Sequence, residues 1–345
     1  MLKSSGVRSG IAIALAILAI ILLRIKPWQH TAVPRTASGA RIATLNVAFL
    51  PVTCHLTCPV TDYASKTSDT GTRFNSKLYE EFPPIADAMK AGSLQAAFMI
   101  VPLAMKLREQ GVPVRICYLG HRDGSTVMVA KDSTARSLAD LRGKTMAIPS
   151  LYSNQNFVIH KLMADQGLKP SDIHFVVLPP PDMPTALGNH SIDSYFVGEP
   201  FAAQAELDGT GRVLYEAKDI WPGFISCALV VREDLIKTHP EIVRDLVRGI
   251  AESGDWAETH RMEAAKLVAP YYRQNEKLIQ YVLMDPGRVS YLNLTPTDKD
   301  LQTIEDMGLQ MGILKKHTPM SDLIDRSFIP DTITPANIAL SSAHS

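Results

Sequence analysis

The stretch Pro180-Pro181-Asp182-Met183-Pro184, continuing to Ile192-Asp193-Ser194-Tyr195-Phe196-Val197-Gly198-Glu199-Pro200-Phe201, decides the fold because the chain holds an earlier version of it at 82–104. The same 98 residues separate Pro83 from Pro181, Ala88 from Ala186, Ser93 from Ser191, Phe98 from Phe196, Pro102 from Pro200 and Ala104 from Ala202. The register reaches back to Pro51 and Pro149, which close the apolar runs 45–50 and 145–148. One such pair is what chance produces. Several in a single register point to one supersecondary unit used twice. The unit reads as apolar strand, loop, helix, small-residue turn and a second apolar strand stopped by Pro. That is the βαβ pattern of a parallel sheet, whose ligands sit at the carboxyl ends of the strands.

Outward from this unit, strands are expected at 42–50, 74–79, 94–100 and 114–119, with helices at 84–90 and 103–109. These make a first lobe. After Gly120-His121-Arg122-Asp123-Gly124 the apolar strand 126–130 leads to a second set. It holds strands 145–148, 173–178 and 191–196 and helices 154–166 and 183–187. Segment 224–231 is again apolar and β-prone. Four helices follow at 240–258, 262–271, 276–282 and 297–311, the first with Ile242, Leu246, Val247 and Ile250 at helical spacing. They are expected to return to the first lobe, and 331–345 to be a flexible tail.

With 46% hydrophobic and 20% charged residues, the composition is that of a globular protein and excludes disordered or collagen-like classes. Its 345 residues suffice for two ordinary domains. Thirty-five basic residues balance thirty-five acidic ones, so no nucleic-acid surface or polybasic membrane patch is expected. The one targeting signal is N-terminal: Lys3 and Arg8 precede the apolar run 11–23, and Arg24 and Lys26 follow it. The run is short for a membrane span and resembles a signal-peptide core. Residues 1–26 are read as a signal peptide cleaved near Ala40 or as an uncleaved anchor to the inner membrane, and 27–40 as a linker.

With that organisation in hand, the sequence resembles the solute-binding proteins of ABC importers, of the nitrate/sulfonate/taurine type that includes nitrate- and bicarbonate-binding members. The matching words are Val47-Ala48-Phe49-Leu50-Pro51-Val52-Thr53, Ala88-Met89-Lys90-Ala91-Gly92-Ser93-Leu94-Gln95-Ala96-Ala97-Phe98, Leu138-Ala139-Asp140-Leu141-Arg142-Gly143-Lys144 and Asp193-Ser194-Tyr195-Phe196-Val197-Gly198-Glu199-Pro200. The likeness covers nearly everything after Arg41. It implies an α/β, two-lobed periplasmic binding protein fold of type II, each lobe a parallel-rich sheet flanked by helices, with the ligand cleft between lobes. Lobe 1 would comprise 41–125 plus 226–330, and lobe 2 residues 126–225, with two crossing strands between them. It also implies a periplasmic protein without a cofactor that hands a small-molecule ligand to an ABC permease and ATPase. Two other readings stand beside it: an enzyme of the thiamine-pyrimidine-synthase type on the same fold, and a membrane-anchored ligand sensor.

If that layout holds, the loops after Pro51, Ile100, Ile148 and Phe196 face the cleft. They supply Thr53, Cys54, His55, Met99, Tyr152, Ser153, Asn154, Gln155, Glu199 and Phe201, joined at the cleft mouth by His121 and Arg122. Thr53 and Ser153 or Asn154 open helices whose free N–H groups favour an anion, though each also suits ordinary N-capping, worth about 1 kcal/mol. Arg122 would attract an anion unless it is a solvated loop residue, and Glu199 would repel one unless it serves a structural role such as capping the helix after Pro200, so ligand charge stays open. Cys54, His55, Met99, Tyr152 and Phe201 tilt the cleft toward an organic ligand with an apolar portion. Cys54, His55 and Cys58 set two thiols four apart around an imidazole, readable as a soft-metal site, a one-turn disulfide or, by default, buried or cleft-lining thiols. Cys117 and Cys227, in segments near the hinge, either pair or remain free.

Overall fold

The computed structural model describes residues 44–57 and 66–334. The expected leader and linker, Cys58 and the end of the tail lie outside the described residues. Five strands form a first sheet: β1 (Thr44–Phe49), β2 (Arg73–Leu78), β3 (Ala96–Ile100) and β4 (Val114–Leu119), completed from far along the chain. A short β5 (Arg122–Asp123) then precedes the second sheet, which is made of β6 (Ser125–Ala130), β7 (Thr145–Ile148), β8 (His174–Val177), β9 (Ser194–Gly198) and β10 (Gly211–Glu216). The completing strand of the first sheet is β11 (Cys227–Arg232).

The sheet orders are β2-β1-β3-β11-β4 and β8-β7-β9-β6-β10, the same topology twice. In each, the first three strands run parallel. The strand that arrives from the other lobe is antiparallel to its neighbours, β11 against β3 and β4, β6 against β9 and β10. The offset of 98 holds for β3 and β9, where Ala96 and Ser194 are equivalent, but slips by one at β1 and β7, where Val47 and Met146 pair with them. The sequence repeat is therefore a topological repeat with one residue of drift.

Why the central strands read so plainly follows from their burial. Every residue of β3, β6 and β9 is buried, as expected of strands covered by helices on both faces. The edge strand β10 is mostly half-buried and more polar, and the sequence reading passes over it. The helix expected at 84–90 starts earlier, as Phe82–Ala91, since Pro83 and Pro84 occupy its first turn, where no N–H is needed. The strand expected at 191–196 starts later, because Asp193 is engaged in a turn: its carboxylate accepts from the Thr145 N–H at 2.8 Å.

The C-terminal helices do more than return to the first lobe. Pro240–Thr259 packs against β4, but Glu276–Met284 packs on the second-lobe helix Phe201–Leu207, and Asp298–Gln310 lies against both Val101–Glu109 and Asn154–Asp165. At Gly308 the approach is so close that a Cβ would stand 2.9 Å from the Phe157 ring. This helical set straps the two lobes together.

Candidate functional site

The cleft starts where β1 stops. Pro51 and Val52 turn the chain into a short 3-10 turn, Thr53–His55, whose three residues are all buried. The Thr53 N–H donates to the Glu199 carbonyl across the lobes at 2.7 Å. Two tyrosines hold this turn from behind: Tyr272 donates its hydroxyl to the Val52 carbonyl at 2.7 Å, and Tyr291 to the Thr53 carbonyl at 3.0 Å.

The second lobe meets this turn with the helix Asn154–Asp165. Ser153 caps it: its hydroxyl accepts from the Asn156 N–H at 3.1 Å and donates to the Ser150 carbonyl at 2.7 Å. The next two residues reach over to the crossing segments. The Asn154 amide donates to the Ile225 carbonyl, and the Gln155 amide to the hydroxyls of Ser125 and Ser226 at 3.1 Å each. Their amide oxygens, Asn154 Oδ1 and Gln155 Oε1, are buried without a partner among the described residues, as are His55 Nε2, His121 Nδ1, Thr57 Oγ1 and Asn156 Oδ1. An orphaned buried polar atom costs about 1–3 kcal/mol. Buried polar groups of this kind are ordinarily completed by ordered water or by a bound solute.

Two imidazoles stand there. His121 Nε2 is 2.9 Å from the Thr53 hydroxyl, and burial, helped by nearby His55, pulls its pKa down to about 3, so the ring is neutral. His55 lies between Phe82 and Phe98, and its Nδ1 accepts the Leu50 N–H at 2.7 Å. Beside it, potential ligand atoms of Cys54, His55 and Cys227 all fall within 4.8 Å of one another, all buried. These three are the described residues that could hold a metal ion. Gly120 is required nearby: a Cβ there would stand 2.1 Å from the Cys54 carbonyl oxygen.

Both charged residues named from the sequence are engaged within the protein. Arg122 donates to Asp300 at 3.0 Å and to the carbonyls of Asn293 and Gly223 at 2.9 and 3.1 Å. Glu199, fully buried, accepts from Arg288 at 2.8 Å, from the Ala203 N–H at 3.0 Å and from Thr126 at 3.3 Å. Burial raises its pKa, and the Arg288 charge opposes that. It acts as an N-terminal partner of the helix Phe201–Leu207. The opposed pulls of Arg122 and Glu199 on an anion are thus each met within the protein. Met99 is fully buried in β3 opposite Ala228, and Phe201 is fully buried with its carbonyl accepting from Tyr195 at 2.9 Å. Tyr152 is half-buried beside Ser150.

Of the alternatives open for the cysteines, the described residues show the unpaired one. Cys54, Cys117 and Cys227 are free thiols, and Cys227 neighbours Cys54 rather than Cys117. Sequence reading did not single out Ser125 and Ser226, which meet Gln155, and placed Cys227 at the hinge without its neighbour Cys54. Their only signal was position at the ends of the crossing strands, and residue type added none.

With this geometry in view, comparisons with known proteins align. A nitrate import ATP-binding protein of Synechocystis is 29% identical over 54% of this chain and 31% of its own length. A taurine-binding periplasmic protein of Escherichia coli is 25% identical over 54% of this chain and 58% of its own. The chain thus spans 31% and 58% of the lengths of these two relatives. The crystal structure of a periplasmic nitrate-binding protein from Synechocystis superposes with a TM-score of 0.77 at 15% identity, covering 83% of this chain and 87% of that one. The fold is therefore that of the two-lobed periplasmic binding proteins. Since the NMT1-like family profile matches residues 38–271, more than half of its length, the chain belongs to the NMT1-like family.

Proposed function

We propose that this chain is the extracytoplasmic solute-binding component of an ABC importer, capturing a small polar solute between its lobes and delivering it to a membrane permease with its ATPase. The observation that carries this reading is the set of unpartnered buried atoms at the lobe contact: His55 Nε2 and His121 Nδ1 on one side, Asn154 Oδ1 and Gln155 Oε1 on the other. Family membership and the transport roles of the named relatives support it. So does the apolar run 11–23 between basic residues, which suits export or anchoring at the inner membrane.

Because Arg122 and Glu199 are both engaged, the site recognises its solute through amides and imidazoles rather than through an ion pair. That favours an uncharged polar molecule over a bare oxyanion. The test is a thermal-shift series on the full chain with nitrate, bicarbonate, taurine, aliphatic sulfonates and uncharged polar solutes, followed by small-angle scattering with the best binder. An uncharged solute should raise the melting temperature most and contract the particle. Equal or stronger stabilisation by nitrate or a sulfonate would refute the ligand class, and superimposable scattering curves would refute closure.

A further inference from the structure

We propose that Cys54 and Cys227 form a two-coordinate thiolate site for a soft, monovalent d10 metal ion of the cuprous type, with His55 as the N–H donor that orients it. The site lies within the first lobe, where the turn after β1 meets the start of β11. It goes beyond solute capture and does not depend on it, since neither thiol comes from the second lobe.

Distance is the first argument. The potential ligand atoms of the three residues lie within 4.8 Å of one another. Two metal–sulfur bonds of about 2.3 Å, laid end to end, reach about 4.6 Å, so one ion can bridge both sulfurs with little rearrangement. Both thiols are buried, and neither is in a disulfide.

Donor count decides the metal. Zinc takes four ligands in structural sites and at least three protein ligands in catalytic ones. Here the Leu50 N–H occupies the Nδ1 lone pair of His55 at 2.7 Å, so the ring proton sits on Nε2, which is buried and has no hydrogen-bond partner among the described residues. That nitrogen offers an N–H and no lone pair. Two soft sulfurs remain, a donor set that suits a cuprous ion and not Mg2+ or Ca2+.

The proton balance is simple: two buried thiols and one monovalent cation give a bis-thiolate complex and two released protons, with the Ser226 hydroxyl 3.6 Å from the Cys227 sulfur.

The experiment uses the full chain, purified with reductant and without metal, titrated with Cu+ against a chromophoric chelator and in parallel with Zn2+. One Cu+ per chain is expected by native mass spectrometry, held more tightly than Zn2+. C54S and C227S should each abolish retention, while C58S and C117S keep it. His55→Phe should weaken binding by about 10–100-fold and shift the thiolate-to-copper charge-transfer band, a signature that mere loss of packing would not move. Should the serine variants fail to fold, alkylation of the unmutated chain decides: bound Cu+ protects Cys54 and Cys227, mapped by peptide mass. No retained Cu+, tighter Zn2+, loss of binding in C58S, or protection of Cys58 in place of Cys227 overturns the proposal. Failure of the solute series with Cu+ bound would leave the ion site standing, and the reverse result would leave solute capture standing.

Discussion

The backbone N–H of Thr53 donates to the carbonyl of Glu199 at 2.7 Å, tying the loop that ends β1 in one lobe to the loop that ends β9 in the other. Both residues are fully buried. Opening the cleft must break this bond and wet both loops, so whatever holds the Glu199 loop in place also holds the closed form.

Arg288 is the chief support. It is 7% exposed and pairs with the buried Glu199 and with Glu206. Arg288→Met leaves the Glu199 carboxylate buried without its counter-ion, which should lower stability by about 3–5 kcal/mol. Urea denaturation measures this at neutral pH. The loss should shrink in acid, where Glu199 takes a proton, and a loss under ~1 kcal/mol at neutral pH would mean that the pair does not support the loop.

Arg122→Met separates the two views of that residue. Its guanidinium binds Asp300 and two backbone carbonyls. Removing it should cost about 1–3 kcal/mol of stability. Solute affinity should stay within about fivefold, the equivalent of ~1 kcal/mol. A loss beyond tenfold, by calorimetry with the best solute from the thermal-shift series, would place the guanidinium in the binding site.

Gln155 reaches from the second-lobe helix to Ser125 and Ser226 on the two crossing segments. Gln155→Leu removes both bonds and its free amide oxygen. Solute affinity should fall by roughly 10–100-fold, and the contraction on binding should diminish in scattering. Cu+ retention should be unchanged. Unaltered solute affinity would remove Gln155 from the site.

His121 sets a pH dependence with a definite sign. Burial depresses its folded-state pKa from 6.5 to about 3, so between those values the unfolded chain binds the extra proton. Its contribution to stability is complete above pH 6.5 and is lost progressively as pH falls toward 3. The urea midpoint should drop between pH 7 and 5, and drop less in His121→Asn. Identical pH profiles for the two proteins would contradict a neutral buried ring.

Much of the architecture was legible because its signals are local. The runs 47–50, 96–100 and 195–197 are apolar and end within three residues of Pro, and all of their residues are buried at the centres of the two sheets. The edge strand Gly211–Glu216 escaped notice because one side of it lacks a covering neighbour, so its residues need not be apolar. Ser153 could be read as a helix cap and is one, since a cap and its N–H lie three residues apart.

The candidate site was legible as a set of loops and illegible as chemistry. The chain order of strands, prolines and glycines determined by itself that an α/β unit recurs, because periodicity and turn residues act over a few positions, while the meeting of two such units at the loops after β1, β3, β7 and β9 was implied by the family resemblance. Tertiary structure alone decided which polar groups are engaged within the protein. Arg122 is engaged by Asp300, Glu199 by Arg288, and Cys54 stands beside Cys227, partners brought together by folding from distant parts of the chain. A side chain's charge and donor capacity belong to its residue type, but whether they remain free depends on neighbours that only the folded chain supplies.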